Sequence, residues 1–357
     1  MSVKTFIENY LDNYTAYKEK WNYEDGCIYK GALDLYKVTG EKYYFDFIIR
    51  KLAEFIAEDG NINNYEIDEF NIDNVNAGKV LFDVYETTGE DKYKKAVELL
   101  REQLEQHPRT QEKNFWHKKI YPNQVWLDGL YMAMPFYAKY EKDFNSSKGL
   151  DDIHQQFLTV KKRIWDASKE LYYHGYDETK SERWSNPETG LSENFWGRAM
   201  GWFVMALVDT LEIVGSDSNI GKDLQAMLVE AIEGLVKYQD GNSGMWYQVL
   251  DQGNREGNYL ETSGTLMIAY SILKGVRLGY LPQSMKENGV KALKTTMDKY
   301  LDTVNNELGG ICGVAGLGNV PYRDGSYEYY ISEKIVPNDP KGVGAFLMAY
   351  SEFLRLA

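Results

Sequence analysis

The chain is poor in proline and in cysteine. Only 8 of its 357 residues are proline, and only two, Cys27 and Cys312, are cysteine. Proline interrupts helix interiors, so its scarcity favours a largely helical protein. Two cysteines far apart in the sequence match neither a disulfide framework nor the spacing of a metal site. We therefore predict an all-α protein in a reducing compartment.

Long apolar runs and surplus positive charge are also missing. No stretch is apolar for long enough to span a bilayer, and residues 1–10 contain acids and amides where a secretory signal would be apolar. Lysine and arginine total 40 against 54 acidic residues, a net charge of −14. Such a chain is unsuited to nucleic acid or to an anionic membrane surface. We predict a cytoplasmic location, no nucleic-acid partner and no membrane partner, and leave the oligomeric state open.

Aromatic residues, by contrast, are abundant. They make up 14% of the chain, with 29 tyrosines and 8 tryptophans. Their flat apolar faces and polar edges suit the binding of sugar rings. A tyrosine-rich core would explain the same composition, so both interpretations stay open here.

Two segments of the chain resemble each other and predict a repeated helical hairpin. Residues 33–43 (LDLYKVTGEKY) and 82–93 (FDVYETTGEDKY) each read as a helix that ends at glycine, a tight turn and a second helix. Recurrence of such a hairpin is typical of a helical array.

The helices of this array fall into two kinds. Residues 93–104 are amphipathic, with one polar face, whereas residues 201–208 and 264–270 are apolar nearly all round, as enclosed helices are. The predicted inner helices begin near Asp25, Asp73, Asp128, Arg198, Thr262 and Gly342. The predicted outer helices cover residues 1–20, 41–57, 91–105, 151–166, 219–238 and 285–304. Six such pairs predict an (α/α)6 barrel, a toroid of six αα-hairpins, formed as a single domain by residues 1–357.

Three aspartates, Asp25, Asp73 and Asp128, occupy comparable positions at the starts of inner helices. Aspartate is a favoured helix N-cap, so each could simply accept hydrogen bonds from free backbone amides. The toroid would also bring all three to one end, where they could act on a substrate. A cap is best ionised, whereas a general acid must hold a proton. Asp128, with apolar and aromatic neighbours such as Trp126, fits the acid best.

A few positive side chains stand out in this acidic chain. His117 and Lys118 precede the third inner helix, and Arg198 lies between Trp196 and Trp202. Arginine suits a substrate carboxylate because it can donate two parallel hydrogen bonds. The alternatives are a surface lysine pair and a structural arginine.

The four histidines complete the set of candidate polar groups. His174 lies in a loop before the fourth inner helix, where it could serve a substrate or could be a structural imidazole. The histidines show no metal-ligand spacing, so we predict no zinc and no other metal or cofactor.

The motifs in order along the chain resemble those of the unsaturated rhamnogalacturonyl hydrolases of glycoside hydrolase family 105. The matching motifs are residues 71–74 (NIDN), 125–132 (VWLDGLYM), 195–202 (FWGRAMGW), 258–263 (NYLETS) and 322–330 (YRDGSYEYY). The resemblance covers essentially the whole chain. It implies an (α/α)6 barrel that removes an unsaturated galacturonyl residue from the non-reducing end of oligosaccharides left by pectin lyases.

The resemblance also implies an unusual mechanism. The terminal sugar carries a C4=C5 vinyl ether, so the implied first step is protonation of C4, after which water adds at C5. The hemiketal then opens and the aglycone leaves. Ordinary glycosidases instead use two carboxylates to assist displacement at C1.

Carried over residue by residue, the resemblance implies roles for several side chains. Asp128 matches the proton donor, and Asp73 matches a second acid that holds sugar hydroxyls and helps keep Asp128 protonated. His174 matches a histidine near the substrate. The implied substrate contacts are Asp25, Gly26, His117, Lys118, Lys119, Ile120, Tyr121, Trp126, Trp196, Arg198 and Trp202.

Two alternatives remain beside this prediction. A related unsaturated glucuronyl hydrolase would use the same hydration on glycosaminoglycan fragments, although residues 195–202 look more like the rhamnogalacturonyl group. A non-catalytic helical scaffold that binds glycans would make the aromatic and acidic residues core and caps.

Overall fold

The computed structural model describes residues 2–356 and consists of alternating inner and outer helices. The inner helices are α2 (Tyr23–Thr39), a 3-10 helix (Ile72–Val80) continued by α4 (Leu81–Thr88), α6 (Leu127–Phe144), α8 (Gly197–Val214), α10 (Thr262–Arg277) and α13 (Pro340–Leu354). The outer helices are α1 (Val3–Asp12), α3 (Lys42–Leu52), α5 (Asp91–Gln106), α7 (Leu150–Ile164), α9 (Asn219–Lys237) and α11 (Lys286–Tyr300). These helices match the predicted series of six pairs, although α1 ends at Asp12 and not near the predicted residue 20.

The inner helices form a closed ring. Each packs against the next in chain order, and α13 packs against α2 to complete the circle. Helix α8 shows why this layer is apolar all round, since every residue from Gly197 to Leu211 is buried. The predicted (α/α)6 barrel is therefore confirmed. The ends of the predicted single domain, Met1 and Ala357, lie outside the described residues.

The hairpin turns follow from the glycines at helix ends. Gly40 and Gly89 adopt positive φ angles of 71° and 69°, and their amides donate to Tyr36 and Tyr85 carbonyls. The left-handed backbone conformation costs glycine little energy, and at this position it redirects the chain into the next outer helix. The two resembling segments are thus equivalent hairpins, as predicted.

Short elements connect the pairs. The strands are β1 (Gln124–Trp126), β2 (Trp165–Asp166), β3 (Leu171–Tyr172), β4 (Gly175–Asp177), β5 (Leu301–Asp302) and β6 (Glu307–Leu308), and the remaining helices are α12 (Tyr327–Ser332) and three 3-10 turns, Ile67–Glu69, Leu250–Gln252 and Gln283–Met285. They pair as β1–β4, β2–β3 and β5–β6, each antiparallel. The helical periodicity of the sequence did not reveal these strands.

The second inner helix departs from the prediction at its start. Residues 72–80 form a 3-10 helix and only Leu81 begins the α-helix. Asn74, Asn76 and Gly78 are weak α-helix formers. The segment is also packed closely, since a Cβ at Gly78 would lie 2.4 Å from Leu100 Cδ1.

Two further observations concern the cysteines and the membrane. Cys27 and Cys312 are both buried, and they do not form a disulfide with each other. Within residues 2–356, no helix combines the length and the apolar character that crossing a bilayer requires.

Candidate active site

A two-stranded sheet brings Asp128 and His174 together at the end of the barrel where the inner helices begin, here called the N-terminal end. Strand β1 pairs with β4 so that Trp126 lies opposite Gly175. Asp128 follows β1 by two residues, and His174 immediately precedes β4. Glycine is needed at position 175, because a Cβ there would lie 2.9 Å from Trp126 Cδ1.

Asp128 does not cap its helix. The N-cap of α6 is Trp126, and the Leu127 amide donates to the His174 carbonyl oxygen at 3.1 Å. The first amide of the helix is therefore bonded to a backbone carbonyl and not to the Asp128 side chain. Asp128 itself is buried to 9% exposure, with its Oδ2 3.3 Å from His174 Nε2. Neither atom has a well-aligned hydrogen-bond partner within residues 2–356.

Tyr330 fixes the other side of the His174 ring. Its hydroxyl lies 2.7 Å from His174 Nδ1. Burial, together with nearby Tyr329 and Asp128, raises the pKa of Tyr330 well above its ordinary value, so the hydroxyl keeps its proton. We assign this hydroxyl as the donor to Nδ1, which places the imidazole proton on Nε2, facing Asp128.

Stacked rings surround this pair. Trp126 stacks on His117 with ring centroids 4.3 Å apart and on Tyr121 at 4.8 Å. The edge of Trp126 meets His174 at 5.4 Å, and Trp196 lies 4.7 Å from the same imidazole. The predicted apolar, aromatic setting of Asp128 is therefore present.

Asp73 lies beside a lysine and a histidine. The loop that carries them is joined to the start of the second inner helix by a bridge between Asn71 and Lys118. Lys118 Nζ lies 2.6 Å from Asp73 Oδ2, and His117 Nε2 lies 3.6 Å from Oδ1. Asn71, not Asp73, caps the helix, since its side chain accepts from the Asp73 amide. The Asp73 carboxylate is therefore free to face a ligand with its lysine.

Lys118 and His117 differ in protonation. Burial opposes the charge on Lys118, but Asp73 more than offsets it and raises the pKa of the lysine. Burial and neighbouring Lys118 hold the pKa of His117 well below its ordinary value, so the imidazole is neutral. Lys118 therefore balances the charge of Asp73, and the predicted help of Asp73 in keeping Asp128 protonated stays a prediction.

Arg198 is enclosed by the protein. It is 1% exposed, its guanidinium lies 4.7 Å from the Trp196 ring, and Nη1 donates to Ser263 Oγ and the Cys312 carbonyl oxygen. Its Nε has no partner within residues 2–356. These contacts resemble the structural alternative, and the predicted bond to a substrate carboxylate stays a prediction.

Trp202 lies one turn further into the barrel than Arg198. It is 1% exposed and stacks on Tyr131 at 5.1 Å. It thus forms part of the wall between the inner helices, and its predicted contact with the sugar ring stays a prediction.

Asp25 and Gly26 face the protein. The Asp25 carboxylate accepts from the Tyr14 hydroxyl, the Tyr17 amide and the Asn22 side chain, and the residue is 1% exposed. A Cβ at Gly26 would lie 2.7 Å from the Cα of Ala77. These contacts are structural, and the predicted substrate contacts of Asp25 and Gly26 stay predictions.

Lys119 and Ile120 form the outer rim. Lys119 is exposed, and its ammonium donates to the Asp68 carbonyl oxygen at 3.0 Å. Ile120 is 67% exposed. Tyr121 turns inward instead, and its hydroxyl accepts from Asn319 at 2.9 Å and from Arg323 at 2.7 Å. Only Tyr121 of these three contacts the stack around Trp126.

Sequence reasoning missed two residues that orient the site. It placed Tyr330 within the motif at 322–330 but gave it no role. Gln248 also had none, yet its side chain accepts from the Trp196 indole at 3.1 Å and donates to the Tyr330 carbonyl oxygen at 3.0 Å. The motif was the available signal for Tyr330, whereas the sequence around Gln248 carried none.

The arrangement suits proton transfer within an aromatic pocket. It offers a carboxyl group that is not bound to helix amides, an N–H that faces it, and a nearby acid–lysine pair. Within residues 2–356, no three His, Cys, Asp or Glu side chains are grouped as a metal site requires. The predicted independence from metal and cofactor stays a prediction.

Comparisons with known proteins agree with this fold and show the family of the chain. The model of glycosyl hydrolase family 88 matches residues 2–357. A solved glycoside hydrolase from family 105 of C. acetobutylicum ATCC 824 is 50% identical, with 98% of each chain covered and a TM-score of 0.95. Protein Atu3128 of Agrobacterium fabrum (strain C58 / ATCC 33970) is 39% identical over 63% of this chain and 100% of its own. The unsaturated rhamnogalacturonyl hydrolase YesR of Bacillus subtilis (strain 168) is 26% identical over 72% of each chain.

Proposed function

Because the chain belongs to glycosyl hydrolase family 88 and, with its C. acetobutylicum relative, to glycoside hydrolase family 105, it is a glycosidase, and we propose that its substrates are unsaturated rhamnogalacturonan oligosaccharides. The enzyme removes the C4=C5 unsaturated galacturonyl residue from the non-reducing end. The 26% identity with the rhamnogalacturonyl hydrolase YesR supports this substrate class.

The environment of Asp128 is the observation that carries the proposal. The residue is 9% exposed, its side chain makes no capping bond within the described residues, and its Oδ2 lies 3.3 Å from His174 Nε2. A carboxyl freed from backbone donors in an aromatic pocket can hold a proton and release it to a substrate. This is the property that hydration of a vinyl ether requires.

In the first step, the proton on Asp128 passes to C4 of the sugar. The π electrons of C4=C5 form the new C–H bond, and positive charge develops at C5 and the ring oxygen. The Asp128 carboxylate that remains accepts a hydrogen bond from His174 Nε2, which lowers the energy of the charge left behind. Tyr330 holds this imidazole in the required tautomer.

In the second step, water adds at C5 and gives its proton to Asp128, which restores the acid. The resulting hemiketal opens to a C5 ketone as its C5–O bond breaks. The ring oxygen then forms the hydroxyl of a hemiacetal at C1, which collapses and releases the aglycone as an alcohol. One water is consumed, and no further reactant is needed.

Asp73 and Lys118 supply polar contacts beside this centre. Their ion pair can accept and donate hydrogen bonds to sugar hydroxyls, while Trp126 and Trp196 provide apolar faces. Because Lys118 keeps 22% side-chain exposure, it is also the more accessible cation for the uronate carboxylate, compared with buried Arg198.

The proposal is tested by following the ultraviolet absorbance of the C4=C5 group. An unsaturated galacturonyl-rhamnose disaccharide should lose its absorbance on addition of the protein. A glycosaminoglycan-derived unsaturated disaccharide should react at least about tenfold more slowly, because it would lose polar contacts that the galacturonyl-rhamnose substrate makes with the enzyme. Faster reaction of the glycosaminoglycan substrate would favour a glucuronyl hydrolase, and unchanged absorbance of both would favour a non-catalytic scaffold.

A further inference from the structure

A second cavity lies at the opposite end of the barrel from Asp128. It has a volume of about 380 Å³ and is lined largely by residues near the C-terminal ends of the inner helices, among them Lys142, Glu212 and Arg277. A volume of this order accommodates a small ligand. No step of the proposed reaction uses these residues.

The cavity has more positive than negative side chains, although the whole chain has a net charge of −14. Eight lysines and arginines line it, against six aspartates and glutamates. Each of the six acids has a cationic partner within 4.0 Å. The two lysines left over are Lys79 and Lys142.

Lys79 is the unusual member of this set. It is 8% exposed, and its Nζ has no hydrogen-bond partner within residues 2–356. Its Nζ lies 3.1 Å from the centroid of the Tyr131 ring. Burial holds the pKa of Lys79 well below its ordinary value, an effect that nearby Asp209 offsets only in part. Burial thus disfavours the ammonium form, and a bound anion would stabilise that form by supplying the counter-charge it lacks.

The position of Lys79 also favours an anion. The carboxyl ends of the inner helices carry partial negative charge, which suits the paired lysines and arginines there. Lys79 instead lies within an inner helix, where the 3-10 segment Ile72–Val80 runs directly into α4, so the partial negative charge of a helix end does not compensate it. Lys142 is an exposed residue of the cavity lining; its ammonium donates to the Ile213 carbonyl oxygen at 2.6 Å, and none of the six lining acids is its ion-pair partner.

We propose that this cavity is a binding site for a small oxyanion, held by Lys79 and Lys142. The shared chemistry is a compact group with several acceptor oxygens, either a phosphate or the carboxylate of a sugar acid. Both side chains donate to such oxygens, and the surrounding ion pairs remain intact.

Calorimetric titration with inorganic phosphate at low ionic strength tests the site in the full-length protein. Lys79→Met should weaken phosphate binding by about tenfold or more, because a charge-assisted hydrogen bond is lost. Lys142→Met should weaken it by a smaller factor. Lys118→Met removes a lysine from the N-terminal end, and Lys294→Met removes an exposed lysine of α11; both should bind phosphate as the wild type does.

A parallel titration with D-galacturonate identifies the source of the oxyanion. Galacturonate that competes with phosphate, and whose binding is also lost in Lys79→Met, assigns the cavity to sugar acids. Phosphate binding without such competition assigns it to phosphate-bearing ligands. The proposal fails if phosphate does not bind the wild type, if Lys79→Met binds it equally well, or if only Lys118→Met loses it. Should Lys79→Met not fold, a phosphate-dependent rise in wild-type Tm that Lys142→Met diminishes would still support the site, and its absence would overturn it.

Discussion

The two ends of the barrel differ in how their buried ionisable side chains are paired. At the N-terminal end, Asp128 and His174 are buried among aromatic rings and face each other without a well-aligned bond. At the C-terminal end, acids and bases form close pairs, such as Lys274 with Asp209 at 2.7 Å. The stacked rings of Tyr131 and Trp202 lie between the two regions.

This difference reflects two roles of a buried carboxyl group, proton transfer at the N-terminal end and stabilisation of the fold at the C-terminal end. A carboxyl group that must give up and regain a proton cannot be held by a permanent cationic partner, because such a partner favours the ionised form. A carboxylate that anchors two helices is best served by that partner. Burial alone would raise the pKa of Asp209, but Lys274 and other lysines more than offset it and keep the pKa below its ordinary value.

Breaking the ion pair at the C-terminal end should give the largest effect. Among the described residues, Lys274→Met leaves Asp209, which is 4% exposed, with only the Tyr270 hydroxyl as a bonded partner. We expect the free energy of unfolding to fall by about 3 kcal/mol or more, measured by denaturant titration. The kcat for the unsaturated disaccharide should stay within about twofold, as expected for a residue outside the active site.

The double variant Lys274→Met with Asp209→Leu is the matched control. It removes both charges, so it should recover most of the lost stability. A double variant as unstable as the single one, or a kcat that falls with Lys274, would contradict the separation of the two ends.

Acid should destabilise the N-terminal end through two buried neutral imidazoles, His117 and His107. The test uses His107. This imidazole is 3% exposed and its Nε2 lies 2.8 Å from the Trp116 carbonyl oxygen; burial lowers its pKa to about 4. The unfolded chain takes up the proton near pH 6.5, before the folded chain does. Stability from this group is therefore complete above pH 6.5 and is lost as the pH falls towards 4, by about 3 kcal/mol.

Denaturant titrations between pH 7 and pH 4 measure this loss. His107→Gln, which cannot be protonated, should show a shallower fall in stability than the wild type. His154→Gln, on outer helix α7, should follow the wild-type profile. Equal slopes for wild type and His107→Gln would rule out the assigned neutral imidazole.

Loss of the Tyr330 hydroxyl should give the smallest effect. Tyr330→Phe removes the donor to His174 Nδ1 and frees the imidazole to adopt either tautomer. We expect kcat to fall about fivefold, equivalent to one hydrogen bond, with KM unchanged. Tyr329→Phe is the matched control, because its hydroxyl accepts from the Gly316 amide instead. A change in KM or Tm alone would indicate a merely structural role for Tyr330.

The sequence was sufficient to predict the barrel because each helix and turn is indicated by residues close together in the chain. Glycine at the helix ends and the contrast between apolar and amphipathic helices place all six pairs. One side chain shows the limit of this reasoning. Arg101 falls on the polar face of α5 by periodicity, yet it is 9% exposed and lies 3.3 Å from buried Glu141. Helical periodicity does not show which polar residue finds a partner on another helix.

The position of several candidate site residues was predictable from the sequence, whereas their contacts were less so. Asp128, Asp73, His174 and Lys118 gather at one end, as the convergence of helix starts predicts. Asp25 occupies an equivalent position, but its bonds to Tyr14 and other donors depend on a neighbouring loop that periodicity does not place. For the same reason, the packing around Arg198 and the role of Gln248 required the three-dimensional structure.

The central claim is that Asp128 provides the proton for hydration of the sugar. The most direct measurement is the rate at which Asp128→Asn removes the C4=C5 absorbance of an unsaturated galacturonyl-rhamnose disaccharide, with circular dichroism as the check of folding. Asparagine preserves the shape of the side chain but cannot donate a carboxylic proton. Our account predicts a fall in kcat of about 10³-fold with an unchanged fold. A folded Asp128→Asn that reacts at the wild-type rate would contradict it.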